Sequence, residues 1–313
     1  MLLGAPPMFS LSLDCEGLWG MADQPHLLGS RVISRDSLSS AYEFLIRTLQ
    51  TNGVRATAAF VSCFAVGFDG VMAHSSLLDE MGCRAPSWFS PILRALRSGQ
   101  SDGWDGSDLY RRMSAAGFEI GWHGATHLSL GERTSAQLIA LEAELASRLF
   151  RELRTKPTTI IFPRNDIGHL DQLLKYGFVT YRDALSRNVM SRAWNIACEW
   201  NVLQRCPTDR IYRRDGWYVS PAGYFLNWPS GLRALIPVSV TIMRWKSMLR
   251  SAITQGGYLH MWFHPHNLIT APAMRIAFEE VIGYAGQLIK AGDLINPTMA
   301  EANGLYEAGS DAA

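Results

Sequence analysis

Met8-Phe9-Ser10-Leu11-Ser12-Leu13-Asp14-Cys15-Glu16 is the stretch on which the fold turns. Phe9, Leu11 and Leu13 alternate with small polar residues, the period-two pattern of a strand with one face in a core. The run then ends in two carboxylates, Asp14 and Glu16, at positions i and i+2. If the chain stays extended, both acids face the same way while Cys15 turns aside.

Working outward, a helical pattern follows from about Ser37 to Leu49, with Tyr42, Leu45, Ile46 and Leu49 on one face. After the turn signal Asn52-Gly53, Ala56–Phe64 reads as a short buried strand. Strand, helix, strand is the βαβ pattern of a parallel sheet or barrel. Residues 66–106 read as an excursion with short helices. Alternation resumes with a helix near Ser107–Ala116 and a strand Phe118–Trp122 that ends in His123. Thr134 and Gln137 predict a capping box for a helix reaching about Leu153. A strand Thr158–Phe162, a helix Gly168–Tyr176 and a short strand Phe178–Tyr181 follow. Residues 183–238 form a second irregular excursion. A helix near Thr241–Ile253 leads to the strand Gly257–Phe263, which ends in His264-Pro265-His266-Asn267, and a last helix starts near Pro272. This repetition predicts a single α/β domain over residues 1–303, with 304–313 as a flexible tail.

The chain has 313 residues, of which 48% are hydrophobic and 18% charged, with a net charge of +1. That balance excludes a disordered chain and gives no electrostatic case for nucleic acid or an anionic membrane surface. No run of about 18 apolar residues suggests a membrane span. The first ten residues lack a basic n-region, so a cytoplasmic location is expected. Cys15, Cys63, Cys83, Cys198 and Cys206 are scattered and read as free thiols.

Three strands end in residues that do chemistry: Asp14 with Glu16, His123 with His127, and His264 with His266. Ligands of α/β barrels and open α/β sheets bind at the carboxyl ends of strands, so these groups would converge on one rim. The two histidines of His123-Gly124-Ala125-Thr126-His127 lie four apart. One helical turn would bring both to the same side for joint coordination of a divalent ion. Phe162-Pro163-Arg164-Asn165 closes a further strand, where Arg164 could orient a carboxylate or pair as an ordinary ion pair. His264, stopped by Pro265, suits a general acid; His260, inside the strand, reads equally well as a hydrogen-bonded core histidine. The aromatics between Trp217 and Trp228 read first as core and loop packing, and second as a stacking surface for a sugar or lipid.

Taken in order, these motifs resemble the polysaccharide deacetylase family, the NodB-homology or carbohydrate esterase family 4 group. Ser12-Leu13-Asp14-Cys15-Glu16-Gly17 stands where that family carries Thr-Phe-Asp-Asp-Gly, and His123-Gly124-Ala125-Thr126-His127 matches its His-Ser/Thr-x-x-His motif. Gly53 to Phe60 resembles the second strand of the family, Phe162 to Asn165 stands at its Arg-Pro motif with the order reversed, and Leu259 to His264 stands at its last catalytic histidine. The spaced acid pair also resembles the branch that deformylates a lipid-linked aminoarabinose. The resemblance implies a deformed (β/α)7 barrel with an incomplete rim. It implies one divalent metal ion, zinc first, with cobalt or nickel as alternatives, held by Glu16, His123 and His127. Aligning on Ser-Leu-Asp makes Asp14 the base, and aligning on Gly17 makes Glu16 the metal ligand. His264 would be the acid, while Arg164, Asn165, His266 and Trp19 would contact the substrate or support the site.

The reaction so implied removes an acetyl or formyl group from an amino sugar, soluble or lipid-linked. Asp14 takes a proton as water attacks and His264 protonates the departing amine. Two rivals stand beside it: an allantoinase-like amidase acting on a small non-sugar C–N bond, and a catalytically silent sugar-binding homologue. Oligomeric state is left open.

Overall fold

The computed structural model describes residues 6–24, 32–184, 197–203, 210–227, 229 and 231–310. Among them, β1 (Pro7–Cys15), β2 (Thr57–Phe60), β3 (Glu119–Trp122), β4 (Thr159–Ile160), β5 (Thr180–Arg182), β6 (Tyr212–Arg214), β7 (Trp217–Ser220), β8 (Tyr224–Phe225) and β9 (Gly257–Phe263) form one sheet. Its order is β6-β7-β5-β4-β3-β2-β1-β9-β8. Every neighbouring pair is parallel except β6 against β7.

Near-opposite ends of that order, β7 and β8, are joined only by Pro221, Ala222 and Gly223. Four Cα steps reach roughly 14 Å at most, so the sheet has to curl until its edges approach. Gly223 makes this join possible. It sits at φ +67°, and a Cβ there would stand 2.4 Å from the carbonyl oxygen of His260 on β9. The curled sheet is a barrel with an open seam, as the family resemblance implies.

Strand β1 runs down its middle and is buried from Met8 to Cys15. The period-two pattern divides its side chains. Phe9, Leu11 and Leu13 enter the main apolar core. Ser10 donates to the Pro297 carbonyl at 2.7 Å, while Ser12 and Asp14 both meet Arg182. Helices cover the outside. Arg35–Asn52 starts on a capping box in which the Ser34 hydroxyl accepts from Ser37 N, and stops at Gly53 in the left-handed region.

The chain after the helix Ala273–Ala291 closes the amino-terminal end of the barrel. Phe9 N donates to Ile295 O, Asn296 Nδ2 to Phe9 O, and Ala300 N to Glu119 Oε2 at 3.1 Å. Asn303 Nδ2 reaches Thr180 Oγ1 on β5. With that end sealed, the carboxyl ends of the strands are left for a site. The final helix, Met299–Ser310, runs on past Gly304, where the sequence reading begins a flexible tail.

Several local expectations shift. Ala56–Phe64 is strand only to Phe60; from Ser62 it is the helix Ser62–Met72. Both states are fully buried here, so apolarity alone cannot tell them apart. The bonds Ser62 N to Gly124 O and Cys63 N to Ala125 O draw the chain out of the sheet. The helix Ala136–Glu152 is capped by Ser135, whose hydroxyl accepts from Leu138 N. Thr134 instead donates to Ser129 O, and Gln137 accepts from Arg84. The short strand expected to end at Tyr181 continues to Arg182. In the second excursion, Trp217 is fully buried against Tyr181, Tyr224 packs on Trp245, and Trp228 lies outside the described residues. Cys15, Cys63, Cys83 and Cys198 are free thiols, and Cys206 lies outside the described residues. No helix among the described residues is long and apolar enough to cross a membrane.

Candidate active site

At the carboxyl ends of β1, β3, β4 and β9 lies a cavity of about 340 Å³. Asp14, Glu16, His123, His127, His264 and His266 all line it, together with Asp23, Arg164, Asn165 and Trp262. Residues up to 252 positions apart in sequence thus meet because parallel strands deliver their last residues to one rim.

Glu16, His123 and His127 form one group whose ligand atoms all lie within 4.8 Å of one another. Glu16 Oε2 stands 2.8 Å from His127 Nε2 and 3.3 Å from His123 Nε2, yet makes no hydrogen bond. His123 Nε2 likewise has no partner. Three buried donors that crowd together without bonding one another are poised for a cation. His123 Nδ1 is held 2.8 Å from the Ile161 carbonyl, which can only accept, so Nδ1 carries the proton and Nε2 offers its lone pair. One carboxylate and two imidazoles fit a zinc-type ion with a position left for water.

The loop that presents the histidines is not the helical turn expected from their spacing. Gly124 and His127 sit at φ +79° and +62°. Ala125 N and Thr126 N donate to Glu142 Oε2 at 2.7 and 3.2 Å, and the Thr126 hydroxyl donates to Glu142 Oε1. A buried carboxylate takes the place of the missing helix bonds. Burial pushes its pKa up to about 7, against the hydrogen bonds that favour its charge.

Asp14 faces a different partner. Arg182 grips it with two parallel bonds, Nη1 to Oδ1 at 2.9 Å and Nη2 to Oδ2 at 2.8 Å. Burial would raise the Asp14 pKa, but Arg182, His123 and His264 outweigh it and hold the carboxyl below the usual range. Burial acts the same way on Glu16, where His127 and His264 prevail and hold it well below. Both acids are therefore ionised at neutral pH. Burial opposes charge on His123, yet Glu16 and Asp14 raise its pKa. A proton and a cation compete for that nitrogen.

His264 is the partly exposed member of the set, its side chain 26% accessible. Its Nε2 lies 3.9 Å from Asp14 Oδ2 and 3.8 Å from Glu16 Oε1, beyond hydrogen-bond range. His266 stacks beneath it, rings 5.0 Å apart, and burial drives its pKa down to about 3. Of the two, only His264 is placed to exchange a proton with a bound molecule.

Arg164 and Asn165 both adopt positive φ, 61° and 51°. That pair of left-handed residues aims Asn165 Oδ1 at Arg182 Nη2, 2.9 Å away, and sends Arg164 to Asp23 at 2.7 Å and over the Trp88 ring. Arg164 thus pairs with Asp23, a second carboxylate of the cavity wall, while Asp14 is gripped by Arg182. Trp19 does not reach the cavity: it is fully buried, edge-on to Trp104, and its indole donates to Trp104 O at 2.9 Å. Of the two roles expected for Trp19, substrate contact is ruled out, because the tight turn Gly17–Met21 carries the ring into the core. Arg182, Glu142, Asp23 and Trp262 line or brace the site without any local signal in the sequence.

No family model matches the chain, and no curated protein matches it in sequence. Solved structures do. A candidate polysaccharide deacetylase from Mycobacterium smegmatis is similar at 15% identity and a TM-score of 0.61, covering 98% of this chain and 96% of that one. A candidate polysaccharide deacetylase from Pseudomonas aeruginosa PAO1 reaches 0.56 at 15% identity, covering 96% and 91%. The PuuE allantoinase reaches 0.55 at 17% identity, covering 96% and 90%. The fold is the NodB-like deformed barrel. At these identities the likeness is one of fold.

Proposed function

We propose that this protein is a metal-dependent hydrolase of the polysaccharide deacetylase type that removes an N-acyl group from an amino sugar. The observation that carries the reading is the partition of the two acids: Glu16 turns to His123 and His127, whereas Asp14 turns to Arg182. A ligand triad beside an independent, ionised carboxylate is what hydrolysis of an amide needs.

Glu16, His123 and His127 would hold a divalent ion, zinc first, which when bound supplies Lewis-acid activation of water and of the amide carbonyl. Asp14 accepts the proton of the attacking water, kept ionised and fixed in direction by Arg182. His264 gives a proton to the amine nitrogen, which is too basic to leave as an anion. The altered first motif, Asp-Cys-Glu, leaves both carboxylates in the cavity; that favours an active enzyme over a silent homologue. A cavity of about 340 Å³ sits at the small end of ligand sites, roughly 300–1,000 Å³. It supports a single amino sugar, soluble or lipid-linked, as substrate. A second reading, an amidase acting on a small non-sugar C–N bond, is favoured by the fold shared with the PuuE allantoinase.

The test is release of acetate or formate from a panel of N-acetyl and N-formyl amino sugars, with allantoin alongside. Turnover of an acylated sugar by metal-loaded protein, abolished in Asp14→Asn, supports the proposal. Turnover of allantoin alone replaces it with the second reading.

A further inference from the structure

We propose that Ser12 and His260 are positioning residues that fix, through Arg182, the direction in which the Asp14 carboxylate faces the cavity. The inference rests on the reading of Asp14 as the base.

Four buried side chains, anchored on the Pro221 carbonyl, form one chain of hydrogen bonds. Pro221 O lies 3.3 Å from His260 Nδ1; His260 Nε2 lies 3.0 Å from Ser12 Oγ; Arg182 Nη1 donates to Ser12 Oγ at 3.1 Å and to Asp14 Oδ1 at 2.9 Å. Ser12, His260, Arg182 and Asp14 are each at most 2% exposed. The direction of every bond follows from donor chemistry alone. A carbonyl only accepts, so Nδ1 of a neutral His260 carries the ring proton. Its Nε2 must then accept, and the Ser12 hydroxyl must donate to it. With its one proton spent, Ser12 presents a lone pair to Arg182, which can only donate. Burial and the nearby Arg182 charge push the His260 pKa down to about 3, so the ring stays neutral.

The geometry explains why these positions carry these residues. Ser12 lies two residues before Asp14 on β1 and so shares its face. The pairing of Ser10 with His260 and of Ser12 with Trp262 sets His260 diagonally across from Ser12. Trp262 offers its ring to the guanidinium, 4.2 Å away, and Asn165 accepts from Nη2. Arg182 thereby makes four hydrogen bonds and one ring contact, with only Nε unpartnered. The Pro221–Gly223 link that draws the sheet edges together is also the anchor of this relay. Neither Ser12 nor His260 lines the cavity.

Ser12→Ala and His260→Leu should each lower kcat about tenfold, the size of one lost hydrogen bond to a charged group. KM and metal content should be unchanged. His260→Gln, which keeps an acceptor near the Nε2 position, should recover most of the loss. A kcat equal to wild type in Ser12→Ala and His260→Leu would overturn the proposal, as would His260→Gln being as impaired as His260→Leu. A readout independent of any substrate is nitrogen NMR of the histidine and arginine side chains. His260 should show a protonated Nδ1 and a bare Nε2, and the Arg182 Nη signals should lose their individual protection in Ser12→Ala. If wild-type protein turns over no acylated sugar, the functional reading fails, while these spectra still decide the relay. Arg182 signals indifferent to Ser12→Ala would sink it.

Discussion

Replacing Arg182 with methionine tests how the site and the fold share one interaction. The substitution keeps an apolar stem of similar length and removes all four side-chain hydrogen bonds of the guanidinium. Asp14, 2% exposed, is left as a buried carboxylate without its cation. Breaking one member of a buried ion pair costs about 3–5 kcal/mol, a large share of a typical 5–15 kcal/mol total. At an m-value of roughly 3 kcal/mol/M the urea midpoint should fall by about 1–2 M. The sign of the pH dependence follows from Asp14. In wild type its folded pKa lies below 3.8, so its contribution is present above that value and lost as pH falls through the folded pKa. Without Arg182, burial dominates and the folded pKa rises above 3.8. The variant then gains stability as pH falls from neutral toward 4, and the gap to wild type narrows. The assay is urea unfolding at pH 7 and pH 4.5, with chelator present so that metal content is equal. Asp14→Asn combined with Arg182→Met should recover much of the loss. A midpoint shift below 0.3 M (roughly 1 kcal/mol at that m-value), or a gap that widens as pH falls, would mean that the Asp14 charge does not depend on Arg182.

Other consequences are open to direct measurement. Glu142 has a folded pKa of about 7 against an ordinary 4.5, so its contribution to stability is full below 4.5 and lost as pH rises through 7; Glu142→Gln should flatten that decline in thermal melts taken from pH 4.5 to 8. Glu142→Leu leaves Ala125 N and Thr126 N buried without an acceptor and should cost about 1–3 kcal/mol for each, read by denaturant unfolding. His264→Ala should lower kcat by about 10²–10⁴ while metal content stays at the wild-type value. Gly223→Ala forces a Cβ to 2.4 Å from His260 O at a positive φ and should lower the melting temperature by several degrees.

The sequence made the frame legible where periodicity was strong. The strand ending at Asp14, the strand Gly257–Phe263 and the helices between them appear close to where the pattern puts them, and the three chemical strand ends meet in one cavity. What stayed hidden depends on contacts between residues far apart in the chain. Arg182 is one residue beyond the strand Phe178–Tyr181 as read, and nothing near it in sequence announces a partner 168 positions away. Glu142 sits among the leucines of an amphipathic helix, where a carboxylate reads as solvated surface; only the loop folded over it shows that it is buried. The spacing of His123 and His127 suggests a helical turn, and the loop instead bonds to Glu142. Trp19 follows the rim motif in sequence, and only the turn Gly17–Met21 shows that its ring faces the core.

The proposed hydrolysis requires a metal held by Glu16, His123 and His127, and the metal content of the protein is its test. Elemental analysis of purified protein, after incubation with Zn²⁺ and removal of excess at pH 7.5, should give about one ion per chain. The His123→Ala, His127→Ala double variant should hold none, and wild type should lose its ion as acid protonates His123. Wild type that binds no Zn²⁺, Co²⁺ or Ni²⁺, or a double variant that retains its ion, would mean that these three residues are not a metal site.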